Sequence, residues 1–231
     1  MARGRSIWLE PLFGAGMLAG GFVIFLTLWF GIGSDASVYS YCSWVWKHYS
    51  LPPYAGCVVG AYPGIFIIHR MALMFGESAL GFRIFDALVQ FGCLAMICWL
   101  ASRVSHLSLA GFLAGLFYAT YYYSLEFMMV GERESFIFFL MLAGVLVSVY
   151  FSGRIWARAV LAGLICGFIF LVKPTFGLCW PVFGAWFWFR GIKGKAGKNL
   201  GGDFGFRSEL SFAGGACHYL LLAAGLFAEP V

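Results

Sequence analysis

Long apolar runs alternate with short polar breaks along most of the 231-residue chain. A helix that crosses the roughly 30 Å of hydrocarbon in a bilayer needs about 20 residues, mostly apolar. The pattern predicts an all-α, polytopic membrane helix bundle with about seven transmembrane helices. Their predicted positions are residues 11–32, 79–101, 108–124, 135–151, 157–172, 175–189 and 209–228. The runs on either side of Lys173-Pro174 can instead form one broken hairpin, because proline disfavours helix at the residue before it.

The segment 34–78 interrupts this pattern after the first apolar run. It is too polar and proline-broken to cross a membrane, yet it is rich in Tyr and Trp, which concentrate at the membrane–water interface. We expect two interfacial helices in this outer loop, at 36–49 and 63–75, joined by an extended turn at "LPPY" (51–54).

Isolated polar residues in this loop have simple expectations. Without a third ligand at metal spacing, His48 and His69 are expected to be interfacial residues. Cys42 and Cys57 form a disulfide in an oxidising compartment or remain free thiols, because sequence does not fix the required geometry. In two apolar runs, Gly16-x-x-x-Gly20 and Gly163-x-x-x-Gly167 predict close helix packing.

Composition and charge exclude a soluble domain. The chain is 62% hydrophobic and only 11% charged, whereas soluble domains carry about a quarter charged residues. The net charge of +5 is best explained by membrane topology and not by nucleic-acid binding. With the N-terminus in the cytoplasm, most basic residues fall on the cytoplasmic side, and four fall outside: Lys47, Arg70, Arg133 and Lys173.

The domain organisation follows from the same pattern. Residues 1–189 are predicted to form one transmembrane domain that includes the outer loop 34–78. Residues 190–208 are glycine-rich and basic, which is typical of a cytoplasmic loop facing anionic lipid. Residues 209–231 are expected to hold the last transmembrane helix.

Several charged residues at the outer ends of the spans have two interpretations each. Asp35 is either an N-cap, with Ser34 as the alternative cap of a helix starting at Ala36, or a general base at the membrane surface. Arg83 either pairs with Asp86 or binds phosphate. Lys173 is either an interfacial anchor or a phosphate contact. Glu126, Glu132 and Glu134 either lie in a solvated loop, or the mutual repulsion of their carboxylates raises the pKa of one of them.

The series Asp35, Tyr39, "LPPY" (51–54), "YPG" (62–64), "FGES" (75–78) and Arg83 resembles the first outer loop of the GT-C membrane glycosyltransferases. The similarity is to the protein O-mannosyltransferase and aminoarabinose-transferase group. "GERESF" (131–136) and "AGLICGFIFLVKPTFGL" (162–178) are similar to later segments of bacterial members. The resemblance covers about residues 10–190, and the first turn lacks the glycine of the family pattern.

The resemblance implies a multi-pass enzyme of the bacterial inner membrane that moves a sugar from a polyprenyl-phosphate carrier to an acceptor on the outer face. It implies that Asp35 is the catalytic base and that Glu134, with Glu132 beside it, holds the acceptor or a divalent cation. The expected lipid-phosphate ligands are Arg83, Lys173 and Arg133.

A second expectation is non-enzymatic. Members of that family are commonly longer, with more spans, so this chain is also expected as a truncated, inactive relative. In that role it serves as an accessory subunit of a larger membrane protein complex, against which its apolar faces pack.

Overall fold

The computed structural model describes residues 11–150 and 155–196, with side chains described as far as Trp188. All regular structure in these ranges is helical. The helices, in chain order, are α1 (Pro11–Leu26), α2 (Ser34–Tyr49), α3 (Pro63–Ala72), α4 (Ala79–Ser105), α5 (Ser108–Ser124), α6 (Glu126–Met129), α7 (Arg133–Tyr150), α8 (Ile155–Val172) and α9 (Cys179–Ala196). Short 3₁₀ helices follow α1 at Thr27–Trp29 and precede α9 at Pro174–Leu178.

Four helical segments within the described ranges are long and apolar enough to cross a membrane: Pro11–Trp29, Ala79–Ser105, Arg133–Tyr150 and Ile155–Val172. They fall where the sequence pattern predicted the first, second, fourth and fifth spans. The third and sixth predicted positions hold α5 and α9, both helical. The predicted seventh span, 209–228, lies outside the described residues.

The surfaces of these four segments suit a lipid environment. Between 22% and 33% of the residues in each apolar window are buried inside the fold. The remaining residues are mainly apolar, and large side chains such as Leu18, Phe22 and Leu164 are exposed. Such continuous apolar surface is expected of a membrane protein, because lipid tails are as apolar as these side chains.

Close helix packing depends on one of the two predicted glycine pairs. α1 packs against α4 and α5. A Cβ added at Gly16 would lie 3.0 Å from Phe112 Cα, and one at Gly20 would lie 2.8 Å from Leu94 Cδ1. The prediction for Gly163 is wrong, because a Cβ there would have no neighbour within 4 Å among the described residues.

The two helices of the loop after α1 pack on each other and on the bundle. Cys42 of α2 and Cys57 form a disulfide with a Cα–Cα distance of 5.5 Å, which confirms the bridged alternative. α3 contacts the last turn of α8 so closely that a Cβ at Gly64 would lie 2.7 Å from the Val172 nitrogen. The interfacial interpretation of His69 is wrong: its ring is buried, stacks on Phe82 and contacts the Ser40 hydroxyl at 2.8 Å.

Side-chain contacts place several helix ends together. Arg83, one turn into α4, contacts Gly31 after α1 and Val130 after α6. The first turn of α7 contacts Asp35 at the start of α2 and Lys173 after α8. We call this the site end of the bundle. It is formed by the ends of α1 and α8, the starts of α2, α4 and α7, and the segment 125–132.

Candidate functional site

Asp35 lies in the first turn of α2, at the site end. The helix begins at Ser34, and Gly33, in an extended conformation, precedes it as the cap residue. The predicted cap by Ser34 or Asp35 is therefore wrong, because the helix starts two residues earlier than expected. A carboxylate in a first turn still interacts favourably with the positive end of the helix dipole. The Asp35 side chain is 57% exposed, so it can meet a molecule from outside the fold.

Tyr39 and Arg133 flank the Asp35 carboxylate. The Tyr39 hydroxyl, one turn later on α2, donates a hydrogen bond to Asp35 Oδ2 at 3.4 Å. Arg133 Nη2 lies 3.9 Å from the same oxygen, and the guanidinium lies over the Tyr39 ring. Burial raises the pKa of Tyr39 to about 12, against the lowering effect of Arg133. Tyr39 therefore stays protonated near neutral pH and acts as a donor.

Arg133 is held loosely compared with the other cations of the site. Its distance of 3.9 Å to Asp35 is long for an ion pair, and its buried Nε has no hydrogen-bond partner among the described residues. Buried donors of this kind usually find a partner in the protein or in ordered water. Arg133 thus has donor capacity left at a position next to an exposed carboxylate.

Glu132 contacts the beginning of α2 from the segment before α7. Its carboxylate lies beside the start of α2, because a Cβ at Gly33 would lie only 3.3 Å from Glu132 Oε1. Burial is the main cause that raises the pKa of Glu132 to about 7, and the charges of Asp35 and Glu134 add to it. Arg133 and the Ala36 N–H act in the opposite direction. The pKa of one glutamate is therefore raised, but burial and not the predicted mutual repulsion is the main cause.

Glu134 is paired with Lys173. The Lys173 ammonium lies 2.5 Å from Glu134 Oε1, so the residue that follows α8 is joined to the first turn of α7. Both side chains are partly exposed, at 26% and 43%. Lys173 also lies 5.9 Å from the Phe176 ring centroid. The backbone at Lys173 is extended and Pro174 begins the 3₁₀ helix, which agrees with the turn predicted at this proline.

Arg83 lies fully buried beneath the exposed cluster. Its guanidinium donates to the carbonyl oxygens of Val130 at 2.7 Å, Phe127 at 3.3 Å and Gly31, and lies 3.6 Å from Asp86 Oδ2. The predicted pair with Asp86 is therefore present. These contacts hold the end of the first span and the segment 127–130 on α4.

The Arg83 contacts depend on the backbone conformation of the neighbouring segment. Gly131 has a φ of +78°, a conformation that glycine adopts without steric cost. A Cβ at Gly131 would lie 2.8 Å from Phe82 Cε1 and 3.1 Å from Arg83 Nη1. The Gly131 N–H donates to the Tyr122 hydroxyl, which in turn donates to Asp86 at 2.8 Å. The glycine of "GERESF" therefore allows residues 132–134 to be presented above Arg83.

The structure brings together five of the six predicted site residues. These are Asp35, Glu132, Arg133, Glu134 and Lys173, with three carboxylates and two cations linked by direct contacts or by charge interaction. Arg83 lies below them. Sequence reasoning missed the position of Glu132 beside the start of α2, since a contact between residues almost 100 positions apart in the chain leaves no local pattern.

The described residues do not contain a group of three or more His, Cys, Asp or Glu side chains arranged to hold a metal ion. Asp35, Glu132 and Glu134 are near one another, but Asp35 accepts from Tyr39 and Glu134 is paired with Lys173. What the cluster offers chemically is an exposed carboxylate, two cations for an anionic group and a protonated phenol.

Comparison with known proteins gives no relative for this chain: it matches no family model, no curated protein and no solved structure.

Proposed function

We propose that this protein is a membrane glycosyltransferase of the GT-C type, which transfers a sugar from a polyprenyl-phosphate carrier to an acceptor at the site end of the bundle. The observation that carries the proposal is the assembly of the cluster. Three separate parts of the chain, around residues 35–39, 132–134 and 173, place an exposed carboxylate beside two cations at the end of apolar helices. That is where a lipid carrier would present its phosphate.

The reaction needs a base and a site for the leaving group. Asp35 takes the proton from an acceptor hydroxyl or amine as the acceptor atom forms a bond with the anomeric carbon of the sugar. The bond from that carbon to the phosphate oxygen breaks, and its electron pair stays on the phosphate. The configuration at the anomeric carbon is inverted. Asp35 suits this role because it is exposed and its neighbour Tyr39 is a donor that orients the carboxylate.

Arg133 and Lys173 serve the phosphate in this proposal. Charge-assisted hydrogen bonds from cations to phosphate are among the strongest that proteins form. Arg133 is 22% exposed, and its Nη2 makes only a long contact of 3.9 Å to Asp35. Lys173 is partly exposed and forms an ion pair with Glu134. Arg83 has a supporting role, because it is fully buried and both of its Nη atoms already donate to backbone carbonyls.

The proposed topology has about seven spans, with α5, α9 and residues 209–228 crossing in addition to the four apolar segments. The N-terminus is cytoplasmic, and the membrane is the inner membrane of a bacterium. The Cys42–Cys57 disulfide supports an outward position for the site end, because disulfides persist in oxidising compartments. Arg103, near the opposite end of α4, fits the excess of basic residues expected on the cytoplasmic side.

Binding of the carrier is a direct test of the lipid-phosphate site. The purified protein is heated in detergent with undecaprenyl phosphate, and with undecaprenol as a control that lacks the phosphate. We expect stabilisation by the phosphate lipid alone, reduced in Arg133→Ala and retained in Arg103→Ala at the opposite end. Equal stabilisation of the wild type by both lipids, or equal stabilisation of all variants by undecaprenyl phosphate, would argue against a phosphate site at this cluster.

A second candidate function is that of an accessory subunit in a larger membrane complex. It is favoured by one observation: Arg83 and Lys173, two of the three phosphate ligands expected from the sequence, already have protein partners. Extraction in mild detergent separates the two functions. Recovery only in fixed stoichiometry with other membrane proteins, without binding of undecaprenyl phosphate, would support the subunit. A monodisperse protein that binds the lipid would support the transferase.

A further inference from the structure

Glu132 is a side chain of the site end that lies beside the first turn of α2. Helix N-termini expose backbone N–H groups that need acceptors, and the residue before the helix usually supplies one from its side chain. Here that residue is Gly33, which has no side chain to offer. The Glu132 carboxylate lies beside this end of the helix, at a position where its oxygen can replace the missing cap: a Cβ at Gly33 would lie 3.3 Å from Glu132 Oε1.

Gly33 allows the segment before α7 to come close enough for this contact. A Cβ at Gly33 would lie 2.6 Å from the Met128 carbonyl oxygen and 3.3 Å from Glu132 Oε1. The backbone of Gly33 has a φ of −64°, which any residue can adopt. Space, and not backbone conformation, therefore requires glycine at this position.

We propose that Glu132 is a positioning residue for Asp35: by capping α2 from the segment before α7, it fixes the first turn of the helix and with it the Asp35 carboxylate beside Arg133. This inference rests on the proposed function for its catalytic meaning. The capping contact itself can be tested without any activity. Asp35 immediately precedes Ala36, whose N–H is the donor in the proposed cap, so loss of the cap frees the turn on which Asp35 stands.

Hydrogen exchange of the full-length protein in detergent tests the cap. Glu132→Ala removes the acceptor, whereas Glu132→Gln keeps a carbonyl oxygen that can still accept. We expect exchange at the amides of residues 34–37 to be about fivefold faster in Glu132→Ala, the factor for loss of one helix cap, and near wild type in Glu132→Gln. Amides of α3 serve as the internal reference, and Glu126→Ala, an exposed carboxylate of the same segment, as the control variant.

A second pair of variants tests the same contact without changing any charge. Gly33→Ala places a methyl group against Met128 and Glu132, whereas Gly31→Ala places one where no neighbour lies within 4 Å among the described residues. We expect faster exchange in the first turn of α2 for Gly33→Ala and little change for Gly31→Ala. This pair keeps the test decisive if Glu132→Ala does not fold.

Transfer kinetics then separate the positioning role from the proposed reaction. If Glu132 positions Asp35, Glu132→Ala lowers kcat with KM for the lipid donor nearly unchanged, and Glu132→Gln restores kcat. Unchanged exchange in both Glu132→Ala and Gly33→Ala would overturn the positioning role whatever the activity. Faster exchange in a protein without transferase activity would keep the cap and remove the proposed function.

Discussion

Lys173 Nζ lies 2.5 Å from Glu134 Oε1, so the end of α8 is joined to the start of α7 at the mouth of the cluster. Partly exposed ion pairs are worth only about 0.2–1 kcal/mol, because water screens them and both side chains lose freedom. We therefore expect Lys173→Met to change the thermal midpoint little while it weakens binding of undecaprenyl phosphate. Glu134→Gln should leave lipid binding intact or strengthen it, since it frees the ammonium. Weaker binding in Glu134→Gln would contradict this assignment, because it would mean that Glu134 supports lipid binding and does not compete for the Lys173 ammonium.

Replacement of the buried Arg83 should destabilise the fold. Its guanidinium binds three backbone carbonyls and lies beside Asp86, and removal of one partner of a buried ion pair costs about 3–5 kcal/mol. We expect Arg83→Met to lower the unfolding temperature in detergent strongly, with partial recovery in the double variant Arg83→Met, Asp86→Asn. A single variant with wild-type stability and lost lipid binding would instead make Arg83 a phosphate ligand.

Stability should depend on pH through Glu132. Its pKa is raised to about 7 in the folded protein, from an ordinary value of about 4.5, so the folded state binds more protons between these values. Glu132 therefore contributes stability that is fully present below about pH 4.5 and is lost as the pH rises through about 7. The difference in unfolding temperature between the wild type and Glu132→Gln isolates this group, because the other titrations cancel. The wild type should lose stability relative to the variant from pH 5 to pH 8; a difference that does not change with pH would contradict the shift.

The disulfide should fix the loop between α2 and α3. Cys42 and Cys57 close a loop of 15 residues, and a disulfide across such a loop contributes about 3 kcal/mol. Alkylation of the unfolded chain should add two more labels after reduction than before it. Mild reduction should lower the unfolding temperature of the wild type. It should not lower that of the double variant Cys42→Ala, Cys57→Ala. Equal labelling with and without reductant would mean that the thiols are free in the membrane-extracted protein.

The apolar spans were predictable, because lipid imposes long apolar runs that can be recognised without knowledge of the packing. The prolines gave the positions of the turns after α2 and before α9. The predicted topology also placed five charged residues at one end of the bundle, because every second loop of a multi-pass chain lies on the same side of the membrane. Long-range polar contacts could not be predicted: Arg83 donates to the carbonyls of Gly31 and Val130, and the Glu132 carboxylate lies beside the start of α2. His69 was misplaced because periodicity alone did not show that α3 packs onto Phe82.

The exchange of one carboxylate tests the central claim most directly. Asp35→Asn keeps the size of the side chain and an oxygen that can accept from Tyr39, yet it removes the proton acceptor. We predict that transfer of radiolabelled sugar from its polyprenyl-phosphate carrier falls by about 10²–10⁴-fold in this variant. The unfolding temperature and binding of undecaprenyl phosphate should stay near those of the wild type, as they should in the control Glu126→Gln. Transfer by Asp35→Asn at the wild-type rate would contradict the role of Asp35 as the base, and absence of transfer by the wild type with every donor and acceptor pair would contradict the function itself.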